Sequence, residues 1–508
     1  MKFASYLAAG ARRYGSKPAL ICGNTTLTFS QLDEASTRVA AALQANGVEP
    51  GDRIGIFLPN CIEFIVCFLG IVKAGGTGVP INLKLATPEV RFIVEDAAPK
   101  FIFVTQARVA ELEAATAGLE APENIVVGEA RVGDFLTYAE IQANAYPPLR
   151  ETPVQTDACI ISYTSGTTGR PKGALLTQSN FIVMNGFLNA LYWGIQHEDR
   201  ILLTTPLAHR TAFARLGNLV VFGATLVIMP KFDAEEVATA VMEHRITILG
   251  MVPTVGRLLI PTIMKHPARF ESLRRILATG EAFPIDLKKE LMEWLPKAEI
   301  YSFYSMTEVG AVSLLLPPEQ VSHAASAGRV LPGLEVKLVD NDAVEVQQGE
   351  VGEVWVRSGE PGRFLTMLGY LNRPEANAES FDNGWFKTGD MARFDQDDYI
   401  YIVDRKKDMV VSGGYNIYTK EVEMALESHP EVQQAAVIGV PDAVFGEAVA
   451  AFVVLKKLET IDTDVLVEWV ATQIASYKKP KYVRLIATLP QNAGGKVHKQ
   501  KLSEIFVK

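Results

Sequence analysis

The segment Tyr163-Thr-Ser-Gly-Thr-Thr-Gly-Arg-Pro-Lys-Gly173 is the most informative stretch of the 508-residue chain. It follows the apolar, strand-like run Ala158 to Ser162 and precedes a helical pattern over Ser179 to Ala190. Its glycines let backbone N–H groups turn towards an anion, its hydroxyls are further donors, and Lys172 adds positive charge. The segment therefore predicts a cradle for phosphates, although its spacing is not that of a Walker A loop. A surface turn rich in Ser, Thr and Gly is the alternative interpretation.

Strand-like and helical patterns alternate on both sides of this segment. The strand-like runs are Arg53 to Phe57, Phe101 to Val104, Ile201 to Thr204, Ala224 to Met229 and Ile246 to Met251, and the helical patterns include Phe29 to Asn46 and Asp233 to His244. This alternation favours parallel α/β layers. From about Gly333 the pieces become strand-like, at Glu335 to Val339 and Glu350 to Arg357, and turn-rich over Phe381 to Asp390, which predicts a smaller β-rich unit.

A charged run near residue 404 divides the chain. Asp404-Arg-Lys-Lys-Asp408 follows the strand-like Tyr399 to Val403, and new strand and helix patterns begin after it. We predict an N-terminal domain over 1–403, a hinge over 404–407 and a small C-terminal domain over 408–508.

Composition excludes several classes of protein. With 48% hydrophobic and 21% charged residues, the chain can bury sizeable cores and is not disordered. Its net charge of −9 argues against a protein that grips nucleic acid or an anionic membrane through a basic surface. The cysteines have no zinc-site or disulfide pattern, which indicates a reducing compartment; they are Cys22, Cys61, Cys67 and Cys159. The N-terminus lacks the order of a secretory signal and the apolar run Phe64 to Val72 is too short to span a membrane, so we predict a soluble cytoplasmic protein.

The chain resembles the adenylate-forming superfamily, which includes acyl-CoA and aryl-CoA synthetases. Tyr163 to Gly173 looks like the signature of that family, and the remaining motifs follow in the family's order from Asn24 to Lys501. The resemblance implies an α/β fold: a large N-terminal domain of layered α/β subdomains plus a β-rich subdomain, and a small mobile α+β C-terminal domain. It assigns the ATP phosphates to Thr164, Ser165, Gly166, Thr167, Thr168, Gly169 and Lys172.

The segment Tyr304-Ser-Met-Thr-Glu308 is similar to a second family motif. The resemblance implies that Tyr304 stacks on adenine, that Thr307 contacts phosphate and that Glu308 holds Mg²⁺, a cation that prefers carboxylate and phosphate oxygens. Without the resemblance, Thr-Glu is equally typical of a helix start. Gly280-Glu281-Ala282 matches the family's turn beside adenine.

Phe386-Lys-Thr-Gly-Asp390 resembles the ribose motif of the family. The resemblance implies that Asp390 accepts hydrogen bonds from both ribose hydroxyls and that Arg405 joins it. A lone Asp after Gly is otherwise usually a turn residue.

The C-terminal domain carries two further motifs that serve separate steps. Gln491 to Val497 resembles the motif whose lysine serves adenylation, so Lys496 is the first candidate for a catalytic side chain. An ammonium there would stabilise negative charge on the α-phosphate oxygens. The resemblance also implies a hinge at Lys407 and a loop at Gly413 and Gly414 that approaches the reacting centre after rotation.

Contacts with CoA are implied for a basic, aromatic stretch near the C-terminus. Lys479 and Lys481 are expected to pair with phosphates, and Tyr477 to stack on the adenine of CoA. Phe445 lies where some relatives place another aromatic contact. Solvated basic residues are the alternative interpretation.

The acyl pocket is inferred from family positions alone. Pro206-Leu-Ala-His209 resembles the element whose His lines the pocket, and Ser305 replaces a common Gly, which narrows it. Arg210 is unusual at its position: it either pairs with a second carboxylate or polar tail of the substrate or faces solvent, and we favour solvent. The predicted pocket comprises His209, Arg210, Met251, Tyr304, Ser305, Val309, Gly310 and Ala311.

These motifs together imply an AMP-forming acid–thiol ligase that uses ATP, Mg²⁺ and coenzyme A. It would activate a small, medium or aromatic carboxylic acid as acyl-AMP, release pyrophosphate and transfer the acyl group to CoA. The expected partners are these small molecules, with a homodimer left open and no nucleic acid. Transfer to the phosphopantetheine arm of a carrier protein is the main alternative; a silent nucleotide sensor and a luciferase-like oxygenase are two others.

Overall fold

The computed structural model describes residues 1–119, 122–127, 136–150, 158–164, 171–280, 283–412, 415–442, 444–457, 461–491 and 496–507. By their internal contacts these residues form two compact units: residues 1–336 with 356–386, and residues 337–355 with 387–508. The chain passes between the units within three strands of one small sheet. The predicted hinge at 404–407 stays a prediction.

In chain order, the strands of the described residues are β1 (Pro18–Cys22), β2 (Thr25–Thr28), β3 (Arg53–Phe57), β4 (Thr77–Pro80), β5 (Phe101–Thr105), β6 (Glu123–Val127), β7 (Leu136–Thr137), β8 (Ala158–Thr164), β9 (Lys172–Thr177), β10 (Arg200–Leu203), β11 (Thr225–Ile228), β12 (Ile248–Met251), β13 (Arg275–Thr279), β14 (Glu299–Met306), β15 (Gly310–Leu315), β16 (Arg329–Val330), β17 (Glu335–Val339), β18 (Gly352–Arg357), β19 (Gly369–Tyr370), β20 (Phe381–Asp382), β21 (Trp385–Phe394), β22 (Ile400–Arg405), β23 (Val410–Ser412), β24 (Tyr415–Ile417), β25 (Val432–Asp442), β26 (Gly446–Leu455) and β27 (Tyr482–Leu485).

The α-helices of the same residues are α1 (Phe3–Tyr14), α2 (Phe29–Ala45), α3 (Ile62–Ala74), α4 (Thr87–Ala97), α5 (Val109–Thr116), α6 (Tyr138–Ala143), α7 (Gln178–Phe181), α8 (Asn189–Trp193), α9 (Arg210–Phe213), α10 (Arg215–Phe222), α11 (Ala234–Glu243), α12 (Pro253–Lys265), α13 (Ile285–Trp294), α14 (Pro374–Ser380), α15 (Thr419–Glu427), α16 (Thr463–Gln473) and α17 (Lys499–Val507). A π-helix, Ile182–Leu188, joins α7 to α8, and short 3₁₀ turns lie at Gln106–Arg108, Pro267–Phe270, Pro317–Glu319 and Ser476–Lys478. No helix among the described residues is both long and apolar enough to cross a membrane.

Two large sheets form the layers of the first unit. One has the strand order β16-β15-β14-β13-β12-β10-β11-β1-β2, and the other has the order β19-β9-β8-β4-β3-β5-β6-β7. Their central strands pair in parallel, as expected where helices connect and cover the strands. The predicted α/β layers are confirmed.

The apolar periodicity of the sequence explains how the helices pack on these sheets. Helix α2 begins at Thr28, whose hydroxyl and backbone form a reciprocal capping box with Gln31. Helix α3 is buried on all sides and approaches α2 closely, because Gly70 has no side chain: a Cβ there would lie 2.4 Å from Val39 Cγ1. The helical pattern over Ser179 to Ala190 is interrupted by the π-helix, which periodicity alone does not predict.

Two smaller sheets follow. In the first, the strand order is β17-β18-β21-β20 with β22 beside β21, which matches the predicted β-rich unit. The second has the order β24-β23-β26-β25 with β27 beside β26 and carries α15, α16 and α17. Apolar side chains of Val437, Val449 and Val453 are buried between this last sheet and its helices.

Candidate active site

A β-hairpin fixes the two ends of the predicted phosphate loop. Strands β8 and β9 are antiparallel, and Thr164 pairs directly with Lys172. Residues 165–170 of the connection lie outside the described residues; among them are the predicted phosphate contacts Ser165, Gly166, Thr167, Thr168 and Gly169. The structure therefore brings the first and last predicted phosphate ligands, Thr164 and Lys172, side by side.

A compact polar cluster surrounds the carboxylate of Glu308. Thr164 Oγ1 lies 3.4 Å from Glu308 Oε1, and the Tyr370 hydroxyl donates to the same oxygen at 3.0 Å. The Lys172 ammonium lies over the Tyr370 ring, 5.1 Å from its centroid. The backbone of Glu308 is also held in place, because Met367 N donates to Glu308 O at 2.7 Å. Two segments far apart in sequence, the phosphate hairpin and the Tyr304 motif, thus meet at one carboxylate.

Tyr370 is the member of this cluster that sequence reasoning missed. It lies on β19, which adds to the edge of β9 with Tyr370 opposite Ala174. Burial, followed by the charge and hydrogen bond of Glu308, raises the pKa of Tyr370, so the phenol stays a protonated donor. The stretch around Gly369 and Tyr370 matched no motif, and only the strand pairing reveals their position.

The carboxylate of Glu308 is the acidic ligand that this cluster offers a metal. No group of three His, Cys, Asp or Glu side chains clusters as a metal site in the described part of the chain. A carboxylate that already accepts from neutral donors suits Mg²⁺, which binds through one or two carboxylates together with substrate phosphates and water. The residues present therefore fit a Mg²⁺ ion carried in with a nucleotide.

Arg210 does not face solvent, and the prediction that it does is wrong. Its guanidinium lies 5.2 Å from the centroid of the Phe181 ring and donates to the carbonyls of Thr307 and Val309, the latter at 3.4 Å. Burial lowers the pKa of Arg210 to about 10, which leaves it charged at neutral pH. The arginine therefore supports the turn between β14 and β15 that carries Glu308.

The adenine-side residues lie at the ends of neighbouring parallel strands. A register shift falls between Tyr304 and Ser305 on β14, and the Ser305 hydroxyl lies 2.7 Å from Thr279 Oγ1 at the end of β13. Gly280 follows with φ +93°, a conformation that favours glycine. Glu281 and Ala282 lie outside the described residues.

His209 is held at the start of helix α9 beside a polar neighbour. Its Nε2 lies 2.9 Å from Asn82 Nδ2, and its backbone N donates to Pro206 O at 3.0 Å. Asn60 fixes the preceding loop by accepting from Leu207 N and donating to Thr205 O. The sequence singled out His209 but not the two asparagines that position it.

The remaining predicted pocket residues are buried. Val309 and Ala311 flank Gly310, whose φ of +91° and closeness to Arg210 leave no room for a side chain: a Cβ would lie 2.7 Å from Arg210 Nη2. Met251 is fully buried in the apolar core of the first unit. Their contact with an acyl group stays a prediction.

In the second unit, the ribose-motif residues lie side by side. Asp390 pairs with Arg405 across β21 and β22, with 3.3 Å between Asp390 Oδ1 and Arg405 Nε. Asp390 lies within strand β21, so the alternative interpretation of it as a turn residue does not apply. The buried Asp404 next to this pair accepts from Thr419 Oγ1 at 2.9 Å, and burial raises its pKa.

Lys496 is exposed and lies beside a β-bridge between Gln491 and Val497. Lys499, three residues further on, contacts helix α15: its ammonium lies 2.6 Å from Thr419 Oγ1 and 3.0 Å from Glu423 Oε1. The start of α17 is thereby anchored immediately after Lys496. The loop residues Gly413 and Gly414 lie outside the described residues.

The predicted CoA contacts form an exposed aromatic and charged surface. Tyr477 stacks on Tyr415 with ring centroids 4.7 Å apart, and Phe445 is 52% exposed. Lys479 is exposed, whereas Lys481 pairs with Asp442, which lowers the pKa of that carboxyl to about 2. The structure thus brings aromatic rings and lysines to one surface, and their role with CoA stays a prediction.

Comparison with known proteins assigns the family. The sequence model described as AMP-binding enzyme matches residues 7–371, and the model of the AMP-binding enzyme C-terminal domain matches residues 421–496.

Characterised relatives match almost the whole chain. A long-chain fatty acid–CoA ligase of Mycobacterium tuberculosis is 35% identical over 94% of this chain and 93% of its own length. A 2-succinylbenzoate–CoA ligase of Bacillus licheniformis is 33% identical over 99% of this chain and its own full length (100%).

A solved structure agrees with both the fold and the family. The o-succinylbenzoate CoA synthetase of Bacillus subtilis, in complex with an acyl-adenylate intermediate, superposes with a TM-score of 0.84 at 31% identity, covering 98% of this chain and 97% of that one. The chain therefore belongs to the AMP-binding, adenylate-forming enzyme family, in its branch of acyl-CoA and aryl-CoA ligases.

Proposed function

We propose that this protein is an AMP-forming carboxylic acid:CoA ligase whose adenylation centre is built around Glu308. The observation that carries the proposal is the cluster of Thr164, Glu308, Tyr370 and Lys172, which places a carboxylate, two hydroxyl groups and a cation at the ends of one phosphate loop. Such a set suits a polyphosphate with its counter-ion. Membership of the CoA-ligase branch supports the same chemistry.

The first step joins the acid to AMP. An oxygen of the substrate carboxylate attacks the α-phosphorus of ATP, and the bond from that phosphorus to the bridging oxygen breaks, so that pyrophosphate leaves and acyl-AMP remains. Lys172 and the phosphate loop would hold the β- and γ-phosphates, and Lys496 would stabilise the charge that develops on the α-phosphate. Mg²⁺, when bound at Glu308, would neutralise phosphate charge.

The nucleoside would be oriented by residues of different motifs. Asp390 would accept hydrogen bonds from two adjacent ribose hydroxyls, and its ion pair with Arg405 supports a carboxylate at this position. Tyr304 would stack on the adenine ring. Holding the reactants in line in this way lowers the entropic part of the barrier.

The second step transfers the acyl group to CoA. The thiolate attacks the carbonyl carbon of acyl-AMP, and the bond to the AMP oxygen breaks. We propose that the small domain rotates about Lys407 between the steps, exchanging Lys496 for the Gly413–Gly414 loop. The stacked Tyr415 and Tyr477, with the neighbouring Lys479, form a surface suited to a nucleotide with several phosphates.

The test is ATP-dependent release of pyrophosphate by the full-length protein with aliphatic, aromatic and dicarboxylic acids, each with and without CoA. We expect release that depends on an acid, and formation of AMP and acyl-CoA when CoA is present. Release with no CoA turnover would direct the search to a carrier-protein phosphopantetheine arm. Absence of release with every acid would contradict the proposal. A homodimer and a cytoplasmic location stay predictions from the sequence.

A further inference from the structure

A buried arginine, Arg215, lies five residues beyond Arg210 and has no acidic partner in the part of the chain that the structure describes. It begins helix α10 and is 4% exposed. Its guanidinium packs over the Trp193 ring, 4.9 Å from the centroid. Within the described residues, its hydrogen bonding is limited to Asn218 Oδ1 at 3.4 Å, and no carboxylate lies within ion-pair distance.

The one neutral partner of Arg215 is already committed to the backbone. The amide nitrogen of Asn218 donates to the carbonyl of Asn185 in the π-helix, where the altered helical ladder leaves backbone groups to be satisfied by side chains. The amide can therefore offer Arg215 a single oxygen. Burial lowers the pKa of Arg215 to about 10, and the side chain stays charged at neutral pH.

Burying a charge without a counter-charge is costly, since the desolvation is not repaid. Ring stacking and one long hydrogen bond return only part of that cost. A buried cation of this kind is stabilised when an anion binds beside it. The residues around Arg215 therefore indicate where such an anion would bind.

Arg215 lines a narrow cavity at the ends of neighbouring parallel strands. Thr211 of α9 and Thr279 of β13 line the same cavity, together with Phe303 of β14. Thr279 Oγ1 is the atom that lies 2.7 Å from the Ser305 hydroxyl, and Thr211 follows directly after His209 and Arg210. The cavity thus lies between the two segments from which the acyl pocket is predicted.

We propose that Arg215 binds a second carboxylate, at the end of the acid remote from the reacting group, so that the preferred substrates are dicarboxylic acids. This inference rests on the proposed ligase function. A guanidinium matches a carboxylate through paired N–H donors, and Thr211 lines the same cavity as Arg215.

The experiment compares acids that differ only at the distal end. Pyrophosphate release is measured with unbranched diacids from three to eight carbons, with monoacids of the same carbon number, and with the corresponding ω-amides. An aromatic pair, benzene-1,4-dicarboxylate and 4-methylbenzoate, is added. The proteins are wild type, Arg215→Met, Arg215→Lys, and Arg257→Met as a matched variant of an exposed arginine on α12.

We expect wild type to use at least one diacid with a kcat/KM about 10-fold or more above that for its matched monoacid and amide, the size of a desolvated charge contact. In Arg215→Met this preference is lost through a higher KM for the diacid, while the monoacid changes less than about 3-fold. Arg215→Lys keeps part of the preference, and Arg257→Met keeps all of it.

The ratio of kcat/KM for a diacid to that for its matched monoacid in the wild-type protein tests the inference even if a variant folds poorly. Equal or better use of every monoacid and amide than of its matched diacid would overturn the role of Arg215 and leave the ligase proposal standing. Equal losses for diacid and monoacid in a folded Arg215→Met protein would overturn it too. Absence of release with all acids would overturn the ligase proposal, and the role of Arg215 with it.

Discussion

The region around Glu308 and the region around Lys496 differ in how exposed their key side chains are. Glu308 accepts from Tyr370, lies near Thr164, and sits on a turn whose carbonyls Arg210 binds. Lys496 is exposed, and Lys499, three residues further on, lies within hydrogen-bond distance of Thr419. The first region is organised before substrate arrives, whereas the second presents Lys496 at an exposed position just before helix α17.

This difference predicts which substitutions should have coupled effects on activity. Side chains that share a hydrogen-bond cluster couple, so their substitutions are not additive. A cation that serves only the adenylation step affects only the step in which it meets the developing charge. We therefore expect substitutions around Glu308 to affect nucleotide use as a whole, and substitution of Lys496 to separate the two half-reactions.

The largest effect is expected for Lys496→Ala. Acyl-AMP formation should fall about 100- to 1,000-fold, because charge on the α-phosphate loses its stabilising ammonium. Conversion of supplied acyl-AMP and CoA to thioester should persist, and Gly414→Leu should have the opposite pattern. Single-turnover assays of each half-reaction measure this, with Lys501→Ala as the control. Equal loss of both steps in both variants would contradict domain alternation.

Glu308→Gln is expected to lower pyrophosphate release about 100-fold. The amide keeps an oxygen for Tyr370 but removes the charge that would hold Mg²⁺, so the Mg²⁺ concentration for half-maximal rate should rise. Titration of Mg²⁺ in the release assay measures this, with the exposed Glu375→Gln of α14 as the matched control. An unchanged Mg²⁺ dependence would rule out Glu308 as the metal ligand.

Arg210→Lys should have a smaller effect, about a 10-fold lower kcat, with the KM for the acid altered less than about 2-fold. Arginine donates to the carbonyls of both Thr307 and Val309, and a lysine ammonium lacks that fork. Steady-state kinetics with the best acid separate kcat from KM. A selective rise in KM for diacids would instead show that Arg210, rather than Arg215, meets the second carboxylate.

The smallest effect is expected for Asp404→Asn, and it depends on pH. Burial raises the pKa of Asp404 above its unfolded value, so the stability that its protonated form contributes at low pH is lost as the pH rises through the folded pKa. The amide of the Asp404→Asn variant does not titrate, so the variant does not lose stability in this way as the pH rises. Its stability relative to wild type should therefore be greater at pH 7 than at pH 4, by about 1 kcal/mol or less. Urea denaturation at both pH values measures the difference, and the opposite sign would contradict the buried carboxylate.

Sequence patterns predicted the α/β layers, the β-rich unit and the family branch, all of which are confirmed. Periodicity and ordered motifs report local structure and chemistry, so β3 and β17 were predicted with their observed bounds. The same patterns could not place Tyr370, because an edge strand from a distant segment brings it to Glu308. Nor could sequence patterns predict that Arg210 binds backbone carbonyls whereas Arg215 lines a cavity, because tertiary packing sets the burial and contacts of a side chain.

The central claim, that the acid is activated as acyl-AMP, is tested most directly by oxygen transfer. The full-length protein is supplied with ATP, Mg²⁺, CoA and an accepted acid labelled with ¹⁸O in both carboxyl oxygens. Attack of the carboxylate on the α-phosphorus predicts one ¹⁸O atom in each AMP formed and none in pyrophosphate. Label in inorganic phosphate with ADP as the nucleotide product, or unlabelled AMP, would contradict the claim.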